Sequence, residues 1–275
     1  MAIRQSQRRV SEIEYENTFT KVYAWITGKV QYLPKRHMHY IGEPINRQLN
    51  VIYEKIMKCT DLYLHDKGKA LERYRLCESI AEDFKTVISL SYFWWNIADG
   101  KKNGVKYVKQ NQREYWAEQV NRELRLIAGV AHFCRKKKEF EVPVMKAYSK
   151  SEIHGVIFLE KLEELQRIIY RRAIHQGTSY RDAQMEMLMK LSRDAFYNAL
   201  EGNATMAVDE KQYRKRRRYF SEAIGNLYAM SRPVRELAFN DIWPEAELEN
   251  ICELVTDSLK ILQALQNSEK IPESA

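Results

Sequence analysis

Apolar residues recur at steps of three and four along most of this chain, and that spacing constrains the fold more than any other feature of the sequence. Tyr15, Phe19, Val22, Ile26 and Val30 form the first such run. A step of three to four places side chains on one face of an α-helix, whereas the residues of a half-buried strand would alternate. Only ten glycines and six prolines occur in 275 residues, so few residues interrupt the pattern. The sequence therefore predicts an all-α protein.

Three further stripes of this kind follow before residue 138. A capping box at Ser11 and Glu14 is expected to open the first helix, and Pro34, the segment 98–104 and the turn "HDKGK" separate the helices. The stripes after the first are Ile45–Leu49–Ile52–Ile56–Cys59–Tyr63, Tyr74–Cys77–Ala81–Phe84–Val87–Ile88 and Ala117–Val120–Leu124–Ile127–Ala131–Cys134. Four amphipathic helices with short connections predict one antiparallel four-helix bundle.

The pattern then restarts, and its landmarks return in the same order. "YLPKRH" is matched by "TSYRDA", and "CESIAEDFKTVI" is matched by "FSEAIGNLYAMS". A repeat of this length predicts a duplicated structural unit. We therefore predict two tandem antiparallel four-helix bundles, the first at 1–138 and the second at 155–275, joined by a linker at 139–154.

Charge is distributed unevenly between the two halves. Residues 1–140 hold 26 basic and 16 acidic residues, a net charge of +10, and residues 141–275 hold 19 and 21, a net charge of −2. This asymmetry favours a polyanionic partner, although a protein that is merely basic would share it. The scattered cysteines, the lack of a secretory signal and the lack of a membrane-spanning apolar run predict a cytoplasmic protein that does not enter the membrane.

The strongest basic cluster is "KQYRKRRRYF", which has six basic residues between Lys211 and Arg218. On a helix, Tyr213 and Phe220 would point inward. The expected outward cations are Lys211, Arg214, Lys215 and Arg218. Like charges at i,i+4 repel, and a phosphate backbone would offset that repulsion. The alternatives are a solvated face balanced by nearby glutamates and a targeting signal.

Two more basic clusters lie in the first half, and they also predict nucleic-acid contacts. One surrounds Tyr107 in a loop and contains Lys101, Lys102, Lys106 and Lys109. The other is the run Arg135, Lys136, Lys137 and Lys138 at the end of a helix. Lysines around a tyrosine suit a single strand, because cations follow the backbone and the ring stacks on a base. Lysine-rich loops are also common surface features.

Four consecutive aromatic residues, Tyr92, Phe93, Trp94 and Trp95, precede the loop at 98–104. They cannot all lie on one stripe, so we expect some of them to be exposed as a protein-partner interface. The alternative is packing beneath the loop or between the bundles.

Signals of catalysis are sparse. His37 and His39 form a pair without a third ligand nearby, and the common phosphate-binding, nucleophile and metalloprotease motifs are absent. Arg125 and His132 have a spacing similar to that of the Arg–His pair of all-helical HEPN ribonucleases. The residue after the arginine is Leu126, where that family usually has a polar residue. We therefore expect no enzyme, no cofactor and no metal, with a HEPN-like ribonuclease as an alternative.

One family resemblance covers most of the chain. "YAWITGKVQYLPKRHMHYIGEPI", "ALERYRLCESIAEDFKTVISLSYFW" and "REYWAEQVNRELRLIAGVAHF" resemble the four-helix-bundle accessory proteins of diversity-generating retroelements, the accessory variability determinants, which are relatives of ribosomal-RNA intervening-sequence proteins. The basic helix resembles the third helix of that family. The resemblance implies a non-enzymatic partner of a reverse transcriptase that binds RNA or cDNA and supports mutagenic cDNA synthesis. Homo-oligomerisation, and a bundle that acts only as a protein-interaction scaffold, stay open.

Overall fold

A computed structural model describes residues 14–99, 104–135, 140, 142–175, 183–239 and 243–269. Every regular element among these residues is helical, which confirms the all-α fold class. The expected start at Ser11 lies outside the described residues. The described part of the chain has nine helices of nine residues or more: α1 (Glu14–Val30), α2 (Glu43–His65), α3 (Ala70–Asp99), α4 (Gln110–Arg135), α5 (Ile157–His175), α6 (Ala183–Ala204), α7 (Glu210–Ala229), α8 (Ser231–Phe239) and α9 (Glu245–Ser268).

The chain divides into two compact units, Met1–Ala147 and Tyr148–Ala275, and the boundary falls inside the predicted linker. In the first unit each of the helices α1 to α4 packs against two others. Tyr15 bonds Thr60 and Tyr23 bonds Asn50, both at 2.8 Å between side-chain oxygens, so α1 and α2 run antiparallel. The tandem of two bundles goes beyond these contacts and stays a prediction.

The apolar stripes of the first unit form its core. All five predicted residues of α1 are buried, and so are Ile45 to Cys59 of the α2 stripe. Pro44 lies in the first turn of α2, where its missing amide hydrogen breaks no helical hydrogen bond. The last members of two stripes, Tyr63 and Cys134, are only half-buried.

The second half of α3 is buried on every side, which overturns the expectation of an exposed aromatic patch. Tyr92, Phe93, Trp94 and Trp95 are each only 2–3% exposed. Trp94 and Trp95 meet Trp116 of α4 edge to face, with ring centroids 5.5 and 5.7 Å apart. The Tyr92 hydroxyl accepts a hydrogen bond from the Lys146 amide at 2.9 Å. The expectation was wrong because segments outside the four helices cover the far side of α3.

In the second unit, α5, α6, α7 and α9 each pack against two of the others, and α8 packs on α6, α7 and α9. The sequence pattern did not predict α8 as a separate helix. Pro233 explains the break after Ala229, because proline has no amide hydrogen to donate to the carbonyl four residues earlier. The chain therefore turns at Met230 and starts a new helix.

Helices α6 and α7 approach closely at Gly202. A Cβ atom there would lie 2.7 Å from the Phe220 ring, so only glycine leaves room for it. Asp209 caps α7, and its carboxylate accepts a hydrogen bond from the Gln212 amide at 2.7 Å. These contacts hold the basic helix with Tyr213 and Phe220 inward, as the sequence predicted.

Residues 142–147 form a strap on the first unit. The Asn121 side chain accepts from the Met145 amide at 2.8 Å and donates to the Met145 carbonyl at 2.7 Å. Gln110 donates to the Ala147 carbonyl at 2.9 Å, and the Met145 side chain is 1% exposed. This part of the predicted linker therefore belongs to the first unit.

A fragment of residues 1–147 should therefore fold on its own and be more stable than a fragment of residues 1–138. Loss of the buried Met145 and of its hydrogen bonds should cost about 2–4 kcal/mol, which lowers the melting temperature by about 5–15 °C. Circular dichroism melting of both fragments measures the difference. Asn121→Ala in the longer fragment should reproduce part of the loss. Equal melting temperatures would show that the strap adds nothing, and an unfolded longer fragment would contradict the division into units.

Candidate nucleic-acid interface

The loop at 104–109 presents three of the predicted contact residues to solvent. Val105 and Val108 are 8% and 7% exposed and anchor the loop to the first unit. The residues between and after them, Lys106, Tyr107 and Lys109, are exposed. Two buried valines three positions apart thus fix the direction of the two lysines and the tyrosine.

The loop meets the turn that follows α1. The Lys106 ammonium lies 4.7 Å from the centroid of the Tyr32 ring, and that ring is 63% exposed. Gly104 has a φ of +66°, and the Arg36 guanidinium occupies the place where a Cβ atom would lie. Glycine is therefore favoured at this position by its backbone conformation, whereas the flexible Arg36 side chain could move away from a Cβ atom. The fold joins two basic and aromatic segments that are about 70 residues apart in sequence.

Arg113 supports the loop from below. Its Nε donates to the Val108 carbonyl at 3.0 Å, and the side chain is only 5% exposed. The guanidinium lies 5.5 Å from the Tyr107 ring and 5.6 Å from the Trp95 ring. The exposed Tyr107 ring therefore has a cation on its inner side, which holds the ring by a cation–π interaction.

The same surface continues along α1 and α4. Trp25 and Tyr115 are in ring contact at 5.3 Å, and the Lys29 ammonium lies 5.5 Å from the Trp25 ring. Trp25 and Lys29 are one helical turn apart on α1, and Tyr32 lies in the turn that follows the helix. We call this surface the basic–aromatic face; it comprises Trp25, Lys29, Tyr32, Arg36, Lys106, Tyr107, Lys109 and Tyr115.

All residues of the basic–aromatic face except Tyr115 lie in two segments of the sequence without acidic residues. Segments 21–42 and 100–113 contain nine lysines or arginines and no aspartate or glutamate. The sequence pattern identified Lys106, Tyr107 and Lys109 but not Trp25, Lys29, Tyr32, Arg36 and Tyr115. The signal available was the motif "YLPKRH", an aromatic residue and two cations in a turn, which has the same character as "VKYVK".

The cations of α7 are arranged differently. Arg214 pairs with Glu210 at 2.6 Å and Arg218 pairs with Glu222 at 3.6 Å, each across one helical turn. Lys211 is exposed, and the Lys215 ammonium lies 6.0 Å from the ring of Tyr219. The balancing glutamates of the solvated-face alternative are therefore present, and α7 offers less free charge than its sequence implies.

Two further arginines of α7 form ion pairs or hydrogen bonds within the second unit. The Arg216 guanidinium pairs with Glu269 at 2.5 Å and donates to the Thr205 carbonyl at 3.3 Å. Arg217 donates to the Tyr213 hydroxyl at 2.8 Å. Arg216 therefore ties α7 to the segments on either side of it, whereas Arg217 bonds within α7.

The other predicted cluster does not join the basic–aromatic face. Arg135 ends α4 and lies 25 residues after Gln110, which is about 38 Å along the helix. Its guanidinium is 5.0 Å from the ring of the buried Tyr74. Lys101, Lys102, Lys136, Lys137 and Lys138 lie outside the described residues.

The side chains that were candidates for catalysis or metal binding are two histidines just before α2 and an arginine–histidine pair on α4. Arg125 and His132 are exposed on α4. His37 is fully buried, and its burial and the neighbouring Arg36 lower its pKa to about 4. His39 lies 3.2 Å from Glu43. Among the described residues no group of three ligands could hold a metal ion, and no helix is long and apolar enough to cross a membrane.

Two cysteines that are distant in sequence come together in the first unit. Cys59 of α2 and Cys77 of α3 are fully buried, with their thiols within hydrogen-bonding reach. The hydrogen bond with Cys77, and then the nearby Arg73, lower the pKa of Cys59 to about 6. The same hydrogen bond and burial raise the pKa of Cys77. Cys134 is half-buried and Cys252 is exposed.

Comparison of this chain with protein-family models, curated proteins and solved structures found no match.

Glu123 of α4 is a carboxyl group buried without a partner. It is 0% exposed, and neither carboxyl oxygen has a hydrogen-bond partner among the described residues. Burial raises the pKa of Glu123 well above the ordinary value of 4.5, and Arg122 opposes this only in part. Arg122 itself pairs with Glu14 at 3.1 Å. The folded state therefore favours the protonated carboxyl.

Replacement of Glu123 by leucine should stabilise the protein at neutral pH. A carboxyl whose pKa rises on folding binds more protons in the native state, so stability declines as the pH rises above about 4.5. Glu123→Leu should therefore raise the free energy of unfolding by about 1–3 kcal/mol at pH 7.5. Urea unfolding at pH 5 and pH 7.5 tests this. Glu123→Gln should remove the pH-dependence but recover less stability, and a less stable leucine variant would contradict the assignment.

Proposed function

We propose that this chain binds single-stranded nucleic acid through the basic–aromatic face, as a non-enzymatic accessory protein of a retroelement reverse transcriptase. The binding proposal rests on two exposed tyrosine rings, each of which has a cation in contact with it. Tyr32 has Lys106, and Tyr107 has Arg113. Exposed rings beside cations are what a single strand requires, because bases stack on the rings while the cations contact phosphates.

A single strand fits this surface better than a duplex. In a duplex the bases are stacked on one another, so their faces cannot reach protein aromatic rings, whereas the bases of a single strand are free to do so. From Trp25 to the end of α1 at Val30 the helix rises about 7.5 Å, which corresponds to about two nucleotides at about 3.4 Å each, and Tyr32 in the following turn extends the surface further. The chain should therefore contact at least three consecutive nucleotides here.

The cations of α7 form a second phosphate-contacting surface in this proposal. Lys211, Arg214, Lys215 and Arg218 lie on the outward side of the helix, and two of them have glutamate partners one turn away. A phosphate must compete with Glu210 and Glu222 there, so this surface contributes less per cation than the basic–aromatic face. Phosphate contacts of this type are independent of sequence.

The role as a reverse transcriptase accessory protein is supported by the sequence resemblance and by the low content of catalytic motifs. The partner proposed is the reverse transcriptase itself, with RNA or cDNA as the nucleic acid.

Removal of the two exposed rings should weaken binding strongly. Tyr32→Ala with Tyr107→Ala should reduce the affinity for a single-stranded oligonucleotide about 30-fold or more, since each stacked base contributes about 1–3 kcal/mol. Tyr32→Phe with Tyr107→Phe keeps the rings and should bind normally. Lys106→Gln with Lys109→Gln should lower the slope of log affinity against log salt by about 1.4 units. Fluorescence anisotropy on RNA and DNA strands at several salt concentrations measures all three.

A control variant in the second unit tests whether the effect is specific to the two tyrosines. Phe239→Ala removes an aromatic side chain that is 88% exposed in the second unit, and affinity should not change. Unchanged affinity in the double alanine variant, with normal melting, would refute the basic–aromatic face as the site. RNA cleavage that Arg125→Ala with His132→Ala abolishes would instead support the ribonuclease alternative.

The α7 surface is tested in the same assay. Changing Lys211, Arg214, Lys215 and Arg218 to glutamine should lower the salt slope by about 1–3 units on a single strand. The melting temperature should change little, because two ion pairs and several like-charge repulsions are lost together. An unchanged slope would show that α7 is a solvated face only.

The accessory role predicts the genomic context. A reverse transcriptase and a template/variable repeat pair should be encoded beside this chain. Sequencing of the flanking region tests this, and the absence of both would contradict the accessory role without affecting the binding assay.

A further inference from the structure

An apolar cavity of about 300 Å³ lies within the second unit where α7, α8 and α9 meet. Its floor consists of Leu227, Met230 and Ile251, which are fully buried. Ligand sites in proteins are mostly apolar hollows of about 300–1,000 Å³ with a few polar groups, so this cavity has the size of a small site.

The apolar stripe of α9 is incomplete at this cavity. Leu248, Ile251 and Leu262 are buried, whereas Val255, Leu259 and Leu265, at the same helical spacing, are only half-buried, and Val255 and Leu259 line the cavity. No side chain of the described residues fills the space in front of them. Apolar surface in contact with water costs about 25 cal/mol per Å², so an apolar occupant would be stabilised here.

The rim of the cavity is polar and carries a positive charge. The exposed lining residues are Tyr228, Ser231, Arg235, Cys252 and Thr256. Arg235 is the one charged residue among the described residues that line it, and it forms no ion pair with any described residue. Glu236, its neighbour in α8, pairs with Arg232 at 3.0 Å. An anionic group on the ligand would therefore find an available guanidinium at the mouth.

We propose that this cavity binds a small apolar molecule with one carboxylate. The apolar part would lie on Leu227, Ile251 and Val255, and the carboxylate would pair with Arg235. A cavity of about 150 Å³ takes benzene, so this one suits a ligand of about a dozen heavy atoms. A protein partner would need on the order of 1,200 Å² of buried interface, much more than this cavity offers. The site is independent of the basic–aromatic face, which lies in the first unit.

The probes for this site are 4-phenylbutyrate and its neutral amide, 4-phenylbutanamide, which have the same number of heavy atoms. Calorimetry on the full chain should show that the carboxylate binds about two- to fivefold more tightly than the amide. The exposed Cys252 thiol gives a local readout with a maleimide reagent. Its modification rate should fall about tenfold when nine-tenths of the protein is occupied. Cys134, which is half-buried in the first unit, should react at an unchanged rate.

Substitutions separate the charge from the cavity. Arg235→Gln should abolish the preference for the carboxylate and retain amide binding, whereas Arg235→Lys should retain the preference. Arg232→Gln changes an ion-paired arginine of the same helix and should have no effect.

Val255→Trp, or Leu259→Phe if the first variant does not fold, should fill the cavity and abolish binding of both probes. Lack of Cys252 protection by either probe would overturn the site, and equal affinities, or a preference that survives Arg235→Gln, would overturn the ligand class.

Discussion

The rings of Trp25, Trp94 and Trp95 all contact the ring of Trp116. This contact joins α1, α3 and α4, and the arrangement of the first unit depends on it. Trp25 of α1 lies 5.4 Å from Trp116, and Trp94 and Trp95 of α3 lie 5.5 and 5.7 Å from it. Edge-to-face pairs of this kind add about 0.5–1.5 kcal/mol each beyond burial. They fix the end of the unit where α1 finishes and α4 begins, which are the two segments that present the basic–aromatic face.

The cations of helix α7 and the cations of the loop at 104–109 have different neighbours in this protein. In α7 the regular spacing brings Glu210 and Glu222 one turn from Arg214 and Arg218, so the helix neutralises much of its own charge. The loop at 104–109 has no such spacing and no acidic neighbour in sequence. Lys106 contacts the Tyr32 ring instead of a carboxylate, and a ring does not cancel a charge. The loop therefore keeps more of its positive charge than its sequence suggests beside α7.

The interiors of both units contain places where packing or hydrogen bonding is incomplete. Among the described residues, Glu123 has no hydrogen-bond partner in the first unit, and no side chain covers Val255 of α9 in the second. Each departs from the rule that polar groups are satisfied and apolar groups are covered. Departures of this kind commonly lie at functional sites, and the cavity beside Arg235 has the form of a ligand site.

The sequence by itself determined the long helices and most of their inward faces, because a period of three to four and few breaks leave no other regular structure that buries the stripes. It also identified Tyr107 and the outward cations of α7. Only the tertiary structure placed Tyr32 against Lys106 and covered Trp95, since such contacts depend on which remote segments meet. Local periodicity describes one helix at a time, whereas the 142–147 strap, the thiol pair and the cavity arise between elements.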